Sequence, residues 1–142
     1  MNGNFYRMYT KHQFAVVKLQ SDFLYPEDIE SLHKEYNNDP DYTRIQYLII
    51  IIDEKCKPKF SINYISQFSK IYNAEYQVNN HKSIVWVVSQ PIITALTHLL
   101  VLELNDNSYY CSTLKKAFYL LDSTMDYNTF IELLDATQKV PN

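Results

Sequence analysis

Asp53, Ser61, Ser89 and Ser112 are the residues whose types and settings offer chemistry. Asp53 closes the apolar run Tyr47-Leu48-Ile49-Ile50-Ile51-Ile52. An acid at the carboxyl end of a central parallel strand is where open α/β sheets place a catalytic or ligand-binding group. Its plainer role is to end the strand and accept hydrogen bonds from loop amides. Ser61, Ser89 and Ser112 each stand where a segment of helical apolar spacing begins. The free amides of a helix start attract anions, and a serine there also serves simply as an N-cap. The catalytic alternative is a small enzyme built around Asp53, with Cys56 or a serine as nucleophile.

Several chemistries are excluded outright. Gly3 is the only glycine, so the glycine-dependent phosphate loop and dinucleotide fingerprint are absent. Neither the GxSxG elbow nor a CxxC pair occurs. The two cysteines, Cys56 and Cys111, are too few for a disulfide framework and read as reduced thiols. His33 and His98 lie on or beside apolar helical faces, His12 and His81 lie in polar connections, and no histidine pair has metal-ligand spacing. Neither a cofactor nor a metal is expected.

A net charge of −3 argues against nucleic acid and anionic membrane as partners, since both require basic surface. No apolar run reaches the length of a membrane span, so no integral membrane segment is expected. The opening Met1-Asn2-Gly3-Asn4-Phe5-Tyr6-Arg7 lacks the apolar core of a signal peptide, which makes the expected location cytoplasmic. At 142 residues and 46% hydrophobic, the chain fits one domain with a core sufficient for folding. Its thirteen tyrosines read as composition rather than as a stacking surface.

These residues must be positioned by a sheet. The run ending at Asp53 is too short to span a membrane and too β-branched for a comfortable helix, so it reads as a strand buried on both faces. Ile84-Val85-Trp86-Val87-Val88 is a second such strand, with Trp86 in the core. Phe5–Tyr9 and Phe14–Leu19, separated by Thr10-Lys11-His12-Gln13, predict an antiparallel hairpin with the first strand at an edge. Pro26 opens a helix with Ile29, Leu32, His33 and Tyr36 on one stripe, ended by Asn37 to Asp41. Ser61 leads a helix with Tyr64, Ile65, Phe68, Ile71 and Tyr72 inward, and Asn79 to Lys82 form a polar connection. Ser89-Gln90-Pro91 start a helix through Ile92, Ala95, Leu96, Leu99 and Leu100 that reads as well buried. Ser108 to Cys111 form a last strand, Ser112 or Thr113 caps the next helix, and Asp126 caps a final one carrying Phe130, Leu133 and Leu134. The order ββαβαβαβαα predicts an α/β fold whose sheet is mainly parallel, with an antiparallel N-terminal hairpin and helices packed on it.

Three stretches carry a resemblance. They are the buried strand ending in Asp53, the strand and proline-led helix from Ile84 to Pro91, and Tyr109 to Leu121 with Ser112-Thr113-Leu114-Lys115-Lys116-Ala117. In this order they resemble the SpoIIAA-like fold, shared by STAS domains and by small bacterial proteins of mostly undefined role. The resemblance implies a regulatory or binding role rather than catalysis. STAS antagonists of anti-sigma factors carry an Asp-Ser-Ser-Gly motif whose serine is phosphorylated. Here Asp53 is followed by Glu54-Lys55-Cys56-Lys57-Pro58-Lys59-Phe60-Ser61, a longer loop without glycine; Ser61 occupies a comparable helix start, but the loop departs from the motif and an ordinary N-cap explains the serine without a switch.

The expectation is thus a non-enzymatic cytoplasmic module acting through a protein partner or a small anionic or lipid-like ligand. Asp53, Ser61, Ser89 and Ser112 are its candidate ligand-binding residues, gathered at the carboxyl edge of the sheet. The opposite edge is expected to be functionally plain.

Overall fold

The carboxyl ends of four adjacent strands form one rim of a five-stranded sheet. The computed structural model describes residues 3–76 and 81–137, so Asn79 and Asn80 of the expected polar connection lie outside the described residues. β1 (Phe5–Tyr9) and β2 (Phe14–Leu19) form the expected antiparallel hairpin. Its loop is a 3-10 turn closed by Gln13 in the left-handed conformation at φ 55°, where its amide donates to the Thr10 carbonyl. β4 (Tyr47–Ile52), β6 (Ser83–Val87) and β7 (Asn107–Cys111) then add in parallel.

Strand alternation sorts the central residues between two cores. Leu48, Ile50, Ile52, Ile84 and Trp86 pack beneath α1 (Pro26–Asn37), α2 (Ile62–Glu75) and α3 (Pro91–Glu103). Ile49, Val85 and Val87 pack on the other face against α4 (Leu114–Leu121) and α5 (Tyr127–Ala136). The reading of the isoleucine run as buried on both sides therefore holds. All three crossovers lie on one face, and strand order advances in one direction from β2 to β7. Only after β7 does the chain cross to the other face.

A second, two-stranded sheet was not expected. β3 (Phe23–Leu24) pairs in parallel with β5 (Lys57–Pro58), and the amides of Lys57 and Lys59 donate to the Asp22 and Leu24 carbonyls. This clasp ties the loop after Asp53 to the end of β2.

Three sequence expectations need correction. Only Ile93, Thr97 and Leu100 of α3 are buried, whereas Ile92, Leu99 and Leu102 stand exposed. A helix apolar on every side carries no sequence signal for which side faces in, and the neighbours available here cover only one. Ile71 of α2 is likewise exposed rather than inward. Lys82, expected in a polar loop, is buried: its Nζ donates to the Tyr42 carbonyl at 2.8 Å and to the Ile45 carbonyl, and lies 4.3 Å from the Tyr42 ring centroid.

Candidate functional site at the carboxyl edge

The ends of β6 and β7 send the chain to opposite faces of the sheet. β6 leads through Ser89 and Gln90 into α3, and β7 leads through Ser112 and Thr113 into α4 on the other side. Diverging connections leave a crevice between adjacent strand ends, the local counterpart of a reversal in strand order. Ser89 and Ser112 line it, and with Lys18, Asp53, Glu54 and Leu114 they enclose a cleft of about 290 Å³. Three of the four candidate residues are therefore brought together. Ser61 is not, because α2 starts beyond the β3–β5 clasp.

The serine hydroxyls make no capping bonds. Gln90 caps α3 by accepting from the Ile93 amide at 2.8 Å, and Thr113 caps α4 by accepting from the Lys116 amide at 3.2 Å. Ser61 occupies the N-cap position of α2, yet its hydroxyl makes no capping bond; only its carbonyl accepts from Tyr64 and Ile65. Asp53 makes the bonds that end the strand and hold the loop. Its amide donates to the Leu19 carbonyl at 2.8 Å, continuing the ladder, and its Oδ1 accepts from the Lys55 amide at 3.0 Å.

Lys18 is the cleft residue that sequence reasoning missed. It is the one charged residue in Phe14–Leu19, and period-two alternation puts it on the same face as Phe14 and Val16. Burial pulls its ammonium pKa down, while the nearby Asp53 and Asp135 carboxylates oppose that shift. A single ammonium facing Asp53, Glu54 and Asp135 leaves the surroundings net acidic, which weighs against an anion.

Neither thiol is poised as a nucleophile. Cys56 is fully buried, its Sγ–H donating to the Leu19 carbonyl at 3.2 Å, and burial pushes its pKa up to about 11. Burial also raises the Cys111 thiol. The thiolate is the reactive form, so both shifts suppress reactivity at neutral pH. Among the described residues, no serine hydroxyl of the cleft is hydrogen-bonded to a histidine, and no group of three or more His, Cys, Asp or Glu is arranged to hold a metal.

Two further concavities bear on binding. An apolar cavity of about 40 Å³ lies between the sheet and the crossover helices, bordered by Trp86, Phe68, Ile93 and Leu100. The Trp86 Nε1–H is buried without a hydrogen-bond partner. This volume holds a group of water size, so a lipid chain would have to force the helices apart. The second is an open groove of about 910 Å³ between α3 and β7, shared with the cleft through Ser89 and Ser112. His98 and Tyr110 meet across it, with Nδ1 and the phenol oxygen 2.8 Å apart.

The opposite edge holds a buried polar and aromatic cluster. His33 is surrounded by Tyr36, Phe68, Tyr72 and Tyr76, and the Tyr72 hydroxyl donates to Asp106 at 2.6 Å. Its components are scattered over α1, α2 and the start of β7, which is why no local pattern announces it.

Comparison of the chain with protein-family models, curated proteins and solved structures yields no match. Among the described residues, no helix is long and apolar enough to cross a membrane.

Proposed function

We propose that this chain is a non-enzymatic binding or regulatory module of SpoIIAA-like fold, cytoplasmic in location, that acts through protein contacts on the outer face of α3 and the adjoining edge of β7. The observation that carries this reading is the exposure of Ile92 and Leu102, 60% and 68% respectively, with Leu99 beside the open groove. Clustered exposed aliphatic side chains favour association because burying each recovers about 1.5–3 kcal/mol. The competing ligand classes have weaker support: the rim cleft is acidic around its one lysine, and the apolar cavity is too small for a lipid chain.

The test is recovery of the tagged chain from its native cell, as wild type and as the Leu99→Glu, Leu102→Glu double variant. Both positions are exposed, so the variant retains its fold, to be checked by circular dichroism. A protein held by the wild type and released by the variant supports the reading. An associated set unchanged by the double substitution overturns it.

A further inference from the structure

We infer that the occupant of the α3–β7 face is a second copy of this chain, paired antiparallel through β7 about a two-fold axis at Tyr109; the inference rests on the protein-contact reading above.

The edge itself supplies the first argument. The Val88 amide donates to the Cys111 carbonyl at 2.9 Å, so the backbone groups of Cys111 face β6. Period-two alternation turns those of Tyr109 the same way and those of Ser108 and Tyr110 outward. Among the described residues no strand lies beyond β7. On the other edge strand, the Arg7 guanidinium and the Tyr9 hydroxyl of β1 donate to the Ala136 and Leu133 carbonyls of α5, tying one face of β1 to that helix. An uncovered edge strand is a template for another strand, and two copies of one edge are self-complementary under a two-fold axis.

An axis at Tyr109, the middle residue of β7, is the register that pairs both outward-facing residues within the strand. Ser108 of each copy sits opposite Tyr110 of the other, exchanging N–H···O=C bonds in both directions. Tyr109 meets its own copy as a non-hydrogen-bonded pair, with Cα atoms about 4.5 Å apart. Tyr109 registers with Val85, on the α4–α5 face, and is 49% exposed in the single chain. The axis is perpendicular to the sheet, so the two α3 helices flank the seam on the other face and bring their exposed leucines towards one another.

Charge selects the occupant. The chain is 20% charged with net −3, yet Pro91 to Leu102 and Asn107 to Leu114 contain no Asp, Glu, Arg or Lys. A contact free of formal charge adds no like-charge pair at the seam when an identical acidic molecule docks. It offers a charged partner nothing to pair with.

The test is sedimentation equilibrium of the full chain from micromolar to several hundred micromolar. The expected species approaches twice the 16.9 kDa chain mass as concentration rises. Tyr109→Lys places two ammonium groups opposite each other at the axis and should raise the dissociation constant about tenfold or more, with circular dichroism unchanged. Tyr109→Cys in a Cys111→Ser background should form an intermolecular disulfide on mild oxidation, because the pair distance suits one. A chain that is monomeric throughout, or a dimer that neither responds to Tyr109→Lys nor cross-links through Tyr109→Cys, overturns the pairing. A monomer that still loses a cellular partner on Leu99→Glu, Leu102→Glu overturns the pairing alone; failure of both experiments overturns the protein-contact reading with it.

Discussion

His33 Nδ1 lies 2.5 Å from the Tyr36 hydroxyl, one turn away on α1, and both side chains are buried. The imidazole Nε2 is buried without a partner, and desolvation depresses the ring's pKa from 6.5 to about 3. The ring is therefore neutral at physiological pH.

This pair sets an acid limb in stability. The folded-state pKa lies below the unfolded one, so the unfolded chain takes up the proton first. The contribution of the neutral ring is complete above about pH 6.5 and is lost as pH falls towards about 3. The loss is about 1.4 kcal/mol per pH unit within that window. His33→Phe preserves a ring among the surrounding aromatics and removes the titration. Urea unfolding at pH 7.5 and pH 5 should show wild type losing about 2 kcal/mol more than the variant. Equal losses would show that His33 is not buried as a neutral ring.

Ile50 and Ile51 should respond differently to the same charge. Ile50 is buried beneath the crossover helices, whereas Ile51 is half-buried at the rim and registers with Lys18 on β2. Ile50→Asp buries an unpaired carboxylate at a cost of several kcal/mol, against a typical stability of about 5–15 kcal/mol, and should leave the chain unfolded. Ile51→Asp gains the Lys18 ammonium as a neighbour and should retain a cooperative thermal transition. Equal tolerance of both substitutions would contradict the burial of Ile50 beneath the crossover helices.

Helix capping separates Thr113 from the candidate serines. Thr113→Ala removes a side-chain acceptor from the first turn of α4 and should cost about 1 kcal/mol. Ser61→Ala, Ser89→Ala and Ser112→Ala remove no capping bond and should each change stability by less than about 0.5 kcal/mol. Chemical denaturation of the four variants checks the order, and a loss at Ser61 matching that at Thr113 would contradict it.

What the sequence determined by itself is the set of local elements and the two-sided core. The β-branched runs at Ile49–Ile52 and Ile84–Val87, the proline-led starts at Pro26 and Pro91, and the cap at Asp126 act within a few residues, so their signals are local. The tertiary structure alone decided which faces those elements left uncovered. In α3, Ile92, Leu99 and Leu102 are as apolar as the buried Ile93 and Leu100, and only the positions of α2, β6 and β7 separate the two sets. Ser89 and Ser112 share a crevice because α3 and α4 leave for opposite faces, while Ser61 is held apart by a clasp between residues distant in the chain. Lys82 is buried because carbonyls of Tyr42 and Ile45 accept from its ammonium. Hydrophobic burial is non-directional, so composition commits a residue to the interior without naming its neighbour, and the neighbours determine the surface that is left.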